Sequence, residues 1–373
     1  GECPRRQSAC RTASPSPRGG RCRLGHRAWM GTDPQRIVHA SRHVRGQPVV
    51  DRSDLGMLKI SGDTRLDLIN RMSTQDVKNL KSGEGAATIL TTDIGRMIDR
   101  LILYAASEAV YVLTGENHSE AIARYLMRFV FFNDDFQLQD ISSQTTIFGV
   151  YGPWAEHILG EEAGFPEVNL PLHHWREAEI AGVTAYLHRT DPINGSGYFV
   201  MCESEEGETL INALLATGLV FADEAAFDFI RIEVGQPRFG HEITGDYIPL
   251  EAGLWDDVSF NKGCYTGQEI IARMESRGQL AKQLVRLTSN NAIDEGETIS
   301  VAGKRVGSIT SAATAEGGTL ALGYVKSSTL EDNSSLSAGD QSLAPGYVGS
   351  ASRIAARRFQ DLERRPCAGP ERL

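Results

Sequence analysis

Apolar residues in this chain fall first into short runs of period two, then into a run of period 3.6, and the alternation repeats. AATILTT (Ala86 to Thr92), the turn residues Asp93 to Arg96 and MIDRLILYA (Met97 to Ala105) predict a hairpin, with a third strand at AVYVLT (Ala109 to Thr114). The period then lengthens: Ala121, Ile122, Tyr125, Leu126 and Phe129 share one helical face, and Asn117 is placed to cap that helix. TTIFGVYG predicts a further strand, and PWAEHIL predicts a helix with Pro153 in its first turn, where a missing N–H costs nothing.

A second cycle of the same kind follows. Strands are expected at Trp175 to Ile180, Val183 to His188 and Tyr198 to Cys202, then a helix from Glu205 to Ala216. Two cycles of paired strands plus helix predict an α+β protein with two similar units facing each other. From Leu284 to Val325 short strands separated by Gly turns, as in SVAGKRVGSIT, predict part of a small β-barrel. The expected domains are an Arg/Ser/Pro-rich disordered tail at 1–46, a first unit at 47–145, a second at 146–280, a partial barrel at 281–330, and an irregular or disordered tail at 331–373.

Composition narrows this picture. A chain of 373 residues has room for two or three domains, and no run reaches the roughly 20 apolar residues of a membrane helix. Residues 1–46 hold ten arginines against Glu2 and Asp33, while the whole chain carries a net charge of -10. The body is therefore strongly acidic, which argues against wrapping a nucleic-acid backbone. The tail has no apolar core of a secretory signal; its Arg-rich, acid-poor composition fits a mitochondrial leader or sequence ahead of a start at Met30. Cys3, Cys10, Cys22 and Cys367 lie in the ends, leaving Cys202 and Cys264 in the body. That is neither a disulfide framework nor a metal-ligand spacing, so a reducing compartment and no structural zinc are expected.

The densest chemistry is KGCYTGQE, Lys262 to Glu269. Thr266 followed by Glu269 and an apolar pair has the form of a capping box, so a helix should begin near Gly267. Cys264 then precedes a helix N-terminus, where backbone N–H groups and Lys262 favour a thiolate. Gly263 and Gly267 permit backbone angles or close approaches that a side chain forbids. The alternative is a small buried cysteine in a structural turn.

Together with RIEVGQPRFGHE (Arg231 to Glu242), PLEAGL (Pro249 to Leu254), NRMSTQDV (Asn70 to Val77), TDIGRMIDRL (Thr92 to Leu101) and ALGYV (Ala321 to Val325), this run resembles the folate-binding YgfZ family, relatives of the glycine-cleavage T-protein, an aminomethyltransferase. The likeness covers about three quarters of the chain, and KGCYxGQE is its specific element. It implies a T-protein-like fold, two α+β units around a central channel beside a C-terminal barrel. SSTLEDNSSLSAGD stands where the family's last barrel strands belong, which leaves closure of the barrel open.

The resemblance implies tetrahydrofolate or a one-carbon derivative as cofactor, Cys264 as the functional thiol, and Arg231, Asp99, Glu251, Lys262 and Tyr265 as folate-binding residues. Read from the residues alone, Arg231 fits an ion pair with Glu233 or a nearby acid as well as a ligand carboxylate, and Asp246 and Glu251 fit turn capping ahead of orienting a pterin N–H. The chain departs from T-proteins where they resemble GGxxDDL: it has Asp99 then Arg100, and an arginine cannot act as a proton acceptor at neutral pH. Alternation puts Asp99 and Arg100 on opposite faces of the strand. The glutamate of YTGExG is also missing, since DPINGSGY follows Arg189 and Thr190.

Three functions compete on this basis. The first is a YgfZ-type folate-binding protein supporting iron–sulfur cluster assembly or repair, and thereby tRNA modification, with iron–sulfur proteins as partners. The second is a tetrahydrofolate-dependent aminomethyltransferase, and the third a non-catalytic folate-binding regulator or scaffold. No membrane partner, bound metal or strong nucleic-acid binding is expected, and the expected compartment is the cytoplasm, with the mitochondrial matrix as the alternative.

Overall fold

The predicted hairpin forms as Gly85–Thr91 paired with Met97–Ala105, and Ala109–Glu116 joins as the third strand. The computed structural model describes residues 46–315, 317–332 and 334–348. Expectations for the N-terminal leader, for Met30, for Cys3, Cys10, Cys22 and Cys367, and for the chain from 349 onward lie outside the described residues.

Leu55–Ser61 and Gln137–Asp140 complete an antiparallel sheet in the order Gly85–Thr91, Met97–Ala105, Ala109–Glu116, Leu55–Ser61, Gln137–Asp140. Alternation sorts its side chains. Leu58, Ile60, Leu101, Leu103, Val110 and Val112 bury one face against Leu68, Ile69, Ile122 and Leu126 of two helices, Arg65–Met72 and Ser119–Met127. Met57, Ile102, Tyr104 and Leu113 bury the other face against the second unit.

That unit is built on a six-stranded sheet in the order Val220–Ala222, Pro48–Asp51, Thr145–Gly152, Ser196–Glu203, Val183–Arg189, Trp175–Ile180. Pro48–Asp51 comes from the start of the described chain, so a strand within the span expected for the first unit, 47–145, lies in the second sheet. Phe148, Val150, Leu187, Tyr198 and Val200 pack on Leu210 and Leu214 of the Gly207–Ala216 helix. Ile147, Phe199 and Met201 face the seam with the first sheet, joined by Phe227 and Ile230 of the Glu224–Val234 helix. This seam is the predicted meeting of two α+β units. Asp223 caps the Glu224–Val234 helix by accepting from the Ala226 N–H at 2.9 Å, and Gly235 ends it with φ +80°.

The barrel corrects an expectation. Six strands close it: Lys282–Ser289 pairs with both Gly318–Lys326 and Gln341–Tyr347, and Lys304–Ala315, Thr298–Val301 and Leu336–Ala338 complete the ring. The closing strands come from SLSAGDQSL, where only Leu336, Ala338 and Leu343 point into the core. Small, polar residues between them hide the period of two. Gly339, with φ +52°, supports the two-residue turn between Ala338 and Gln341.

Two predicted caps also fail. His118, not Asn117, precedes the Ser119–Met127 helix; Asn117 sits in a left-handed turn with φ +54°. The helix after the cysteine is Gln268–Arg277, capped by Gly267 in the left-handed region with no side-chain bond from Thr266. The helix start near Gly267 is right, and the capping box is not.

Candidate functional site

A cavity open to solvent is lined by both sheets, the Glu224–Val234 helix and the following loop. Phe199, Phe227 and Phe239 supply its flat apolar walls, with Ile102 and Leu113 between them. Its polar part is built from charged side chains that pair mainly with one another.

Asp99 and Arg100 both line the cavity, although their side chains take different partners, as alternation requires. A bulge lies beside them: Thr91 pairs with Met97 and Leu90 with Asp99, leaving Ile98 as the extra residue. The fully buried Asp99 carboxylate accepts from the Gly115 N–H at 3.0 Å and meets His118 Nδ1 at 2.9 Å. Burial pushes its pKa up, and the bonds from His118 and Gly115 pull the other way. His118 in turn stacks on Phe239, with ring centroids 4.3 Å apart.

Arg100 is held from two sides. Its Nη1 donates to Asp191 at 2.6 Å and its Nε to Asp257 at 2.6 Å, with Nη2 reaching both carboxylates. Burial opposes its charge, but Asp191 and Asp257 raise its pKa further still. Burial raises the Asp191 pKa, and Arg100 together with His173 more than reverses that, leaving it lowered. The position therefore carries a fixed cation and no acid or base.

A second group of charges borders the cavity. Glu116 accepts from Arg52 at 2.9 Å and from Arg238 at 2.8 Å, and the Arg52 guanidinium lies 4.3 Å from the centre of the Phe227 ring. Arg231, 2% exposed, donates to Asp228 and Glu242 at 2.9 Å each and to the Ser311 hydroxyl at 2.7 Å. Glu242 is fully buried and also accepts from Thr310, Ser311 and the Arg238 N–H. Arg231 lines the cavity, but its guanidinium ties the helix to the barrel strand Lys304–Ala315, the ion-pair reading with different acids from Glu233.

The cysteine run lies apart from the cavity lining. Cys264 is exposed and free, which sets aside a buried structural cysteine. Lys262 Nζ donates to the carbonyl oxygens of Asn70, Ser73 and Gln75 at 2.7, 2.8 and 2.7 Å, so all three of its protons clip the run to the end of the Arg65–Met72 helix. Burial lowers its pKa to about 8. Its ammonium also lies 5.4 Å from the centre of the Tyr265 ring. Tyr265 packs among Ile248, Leu250, Val258 and Ile271, and burial pushes its phenol up to about 12.

Gly267 is the glycine the run requires: at φ +82°, a Cβ there would lie 2.4 Å from the Thr92 oxygen and 2.9 Å from Gly95 Cα. Gly263 has open space around it. Glu251 takes the turn reading, accepting from the Ile248 N–H at 3.2 Å beside Arg96 at 3.6 Å. Asp246 offers its backbone oxygen to Arg96.

Of the predicted site residues, the cavity thus brings together Asp99 and Arg231, and its lining does not include Glu251, Lys262, Tyr265 or Cys264. Sequence reasoning missed Arg52, Glu116, Asp191, Arg238 and Phe239. Arg238 and Phe239 stand inside the singled-out RIEVGQPRFGHE, and Asp191 directly follows the Arg189–Thr190 pair. Among the described residues no group of three His, Cys, Asp or Glu is placed to hold a metal ion. No helix there is long and apolar enough to cross a membrane.

Comparison with known proteins matches residues 34–262 to the GCVT N-terminal domain family. A chloroplastic transferase candidate of Arabidopsis thaliana is 28% identical over 79% of this chain and 69% of its own length. An aminomethyltransferase of Moorella thermoacetica is 29% identical over 79% of this chain and 82% of its own. Among solved structures, the glycine cleavage system aminomethyltransferase T from Bartonella henselae superposes with a TM-score of 0.72, covering 83% of this chain and 88% of that one at 20% identity. The α+β architecture with its closed barrel is therefore the T-protein-like fold.

Proposed function

The chain belongs to the GCVT N-terminal domain family, and from that premise we propose a folate-binding protein of the YgfZ type, supporting iron–sulfur cluster assembly or repair and thereby tRNA modification. The observation that carries this reading is Arg100, clamped between Asp191 and Asp257 at 2.6 Å each. Where transferases resemble paired acids, this chain has a guanidinium with no proton to trade at neutral pH.

Folate suits the cavity on two counts. Phe199, Phe227 and Phe239 offer faces for a flat heteroaromatic ring. Asp99, a buried acceptor held by His118 and Gly115, would hold a ring N–H, and Arg52 and Arg238 would meet the ligand's carboxylates. When bound, tetrahydrofolate supplies a nitrogen site for a one-carbon unit; the chain's residues bind, orient and shield it. Cys264, exposed on a loop clipped down by Lys262, is the thiol offered to an iron–sulfur partner. The cytoplasm goes with this reading, and the mitochondrial matrix is its alternative.

The test is Cys264→Ala in a strain lacking the YgfZ-type protein. Loss of iron–sulfur enzyme rescue by a folded variant supports the proposal, and full rescue overturns it. A second reading, folate-dependent aminomethyl transfer, is favoured by the relatives' names and by Asp99 in the cavity wall. Methylene transfer in a purified glycine-cleavage assay would establish it instead.

A further inference from the structure

The Arg100 guanidinium is shared between a carboxylate that lines the cavity, Asp191, and one that belongs to the turn Trp255–Asp257 leading into the cysteine run. A guanidinium is a rigid planar fork, so its two edges cannot be re-aimed independently. Moving Asp191 therefore turns the edge that faces Asp257.

Beyond Asp257, the chain to Lys262 is strapped to one short segment of the first unit. Thr74 Oγ1 donates to the Asp257 carbonyl at 2.6 Å, and the Ser259 N–H donates to the Thr74 carbonyl at 3.0 Å. Gln75 Nε2 donates to the Asp256 carbonyl at 2.7 Å, and Lys262 Nζ reaches Asn70, Ser73 and Gln75. Residues 255–262 are thus one tied body, fixed at its far end by Lys262 and connected toward the cavity by Asp257. Cys264 follows two residues after the strap ends.

The geometry points to Arg100 as a positioning residue that couples the cavity wall to the cysteine loop, so that occupancy of the cavity changes the order of residues 255–264. The role of a fork explains arginine at this position better than charge alone. A lysine would neutralise the same carboxylates as a point charge, without linking the orientation of one to the other. The inference rests on the folate reading only for the identity of the occupant.

The experiment is backbone hydrogen exchange of the full chain, read on a peptide spanning 255–264 and referenced to barrel strand Lys282–Ser289. Asp191→Asn should speed exchange of 255–264 by about fivefold or more, the lower end of an ordinary coupling, with the barrel strand unchanged. In an Arg100→Lys background, the same Asp191→Asn substitution should add nothing to 255–264. Tetrahydrofolate should alter protection of 255–264 in the wild type and not in Arg100→Lys. Unchanged exchange of 255–264 in Asp191→Asn, or an equal increase with and without Arg100, overturns the coupling. Absence of tetrahydrofolate binding overturns the folate reading instead, and the Asp191 arm still decides the coupling.

Discussion

Arg100 and Asp191 meet at 2.6 Å, joining a strand of the first sheet to the segment after a strand of the second, 91 residues along the chain. The same guanidinium holds Asp257, so one cation neutralises two buried or half-buried carboxylates at the edge of the cavity. Arg100→Ala removes it and leaves both acids without their partner. The variant should lose about 3 kcal/mol of stability at pH 7, measured by urea denaturation. Asp191 has a lowered pKa in the fold, so its contribution is present above the ordinary carboxylate pKa and is lost as pH falls through its folded value. The deficit of Arg100→Ala should therefore shrink below about pH 4.

Arg231 and Glu242 form a buried pair between helix and barrel, with Glu242 also accepting from Thr310 and Ser311. Arg231→Ala should cost about 3–5 kcal/mol by stranding that carboxylate. Thermal unfolding checks it, and a drop in ligand binding by this variant would first report a weakened fold.

His188 is buried between Trp175, stacked at 5.8 Å, and Tyr104, edge-on at 4.0 Å. Burial lowers its pKa to about 3. The unfolded chain takes up its proton near pH 6.5, so this side chain's stabilising effect is full above that pH and is lost as pH falls toward 3. His188→Phe keeps the ring contacts and removes the proton. Its unfolding free energy should lose less between pH 6.5 and 4 than the wild type, by up to about 1.4 kcal/mol per pH unit.

Gly267→Ala places a Cβ against the Thr92 oxygen in a backbone conformation that side chains rarely adopt. We expect a loss of about 1–3 kcal/mol and faster alkylation of Cys264 as the run detaches from the hairpin, both measured on the full chain. Gly263→Ala, with open space around it, should change neither.

The alternating sheets and their facing seam were legible because a sheet with two buried faces sorts its residues by parity, as Leu101 and Leu103 against Ile102 and Tyr104 do. The barrel's closing strands were not, since Ser337 and Ser342 separate too few apolar residues to mark a period. Motif likeness led to Asp99 and Arg231. It gave no sign of the partners of Lys262, whose three acceptors are backbone oxygens some 190 residues away, at separations of 192, 189 and 187. Backbone oxygens carry no residue identity, so no pattern in the chain announces them. Arg52, Glu116 and Arg238 stayed hidden for a similar reason: Glu116 meets Arg52 and Arg238 across separations of 64 and 122 residues.

Tetrahydrofolate is the ligand proposed for the cavity between the sheets. Calorimetric titration of tetrahydrofolate against the wild type and Asp99→Asn is the deciding measurement. Saturable binding at one site per chain is expected, weakened about tenfold or more when the buried carboxylate becomes an amide. No binding by the wild type, or equal affinity in a folded Asp99→Asn, would contradict it.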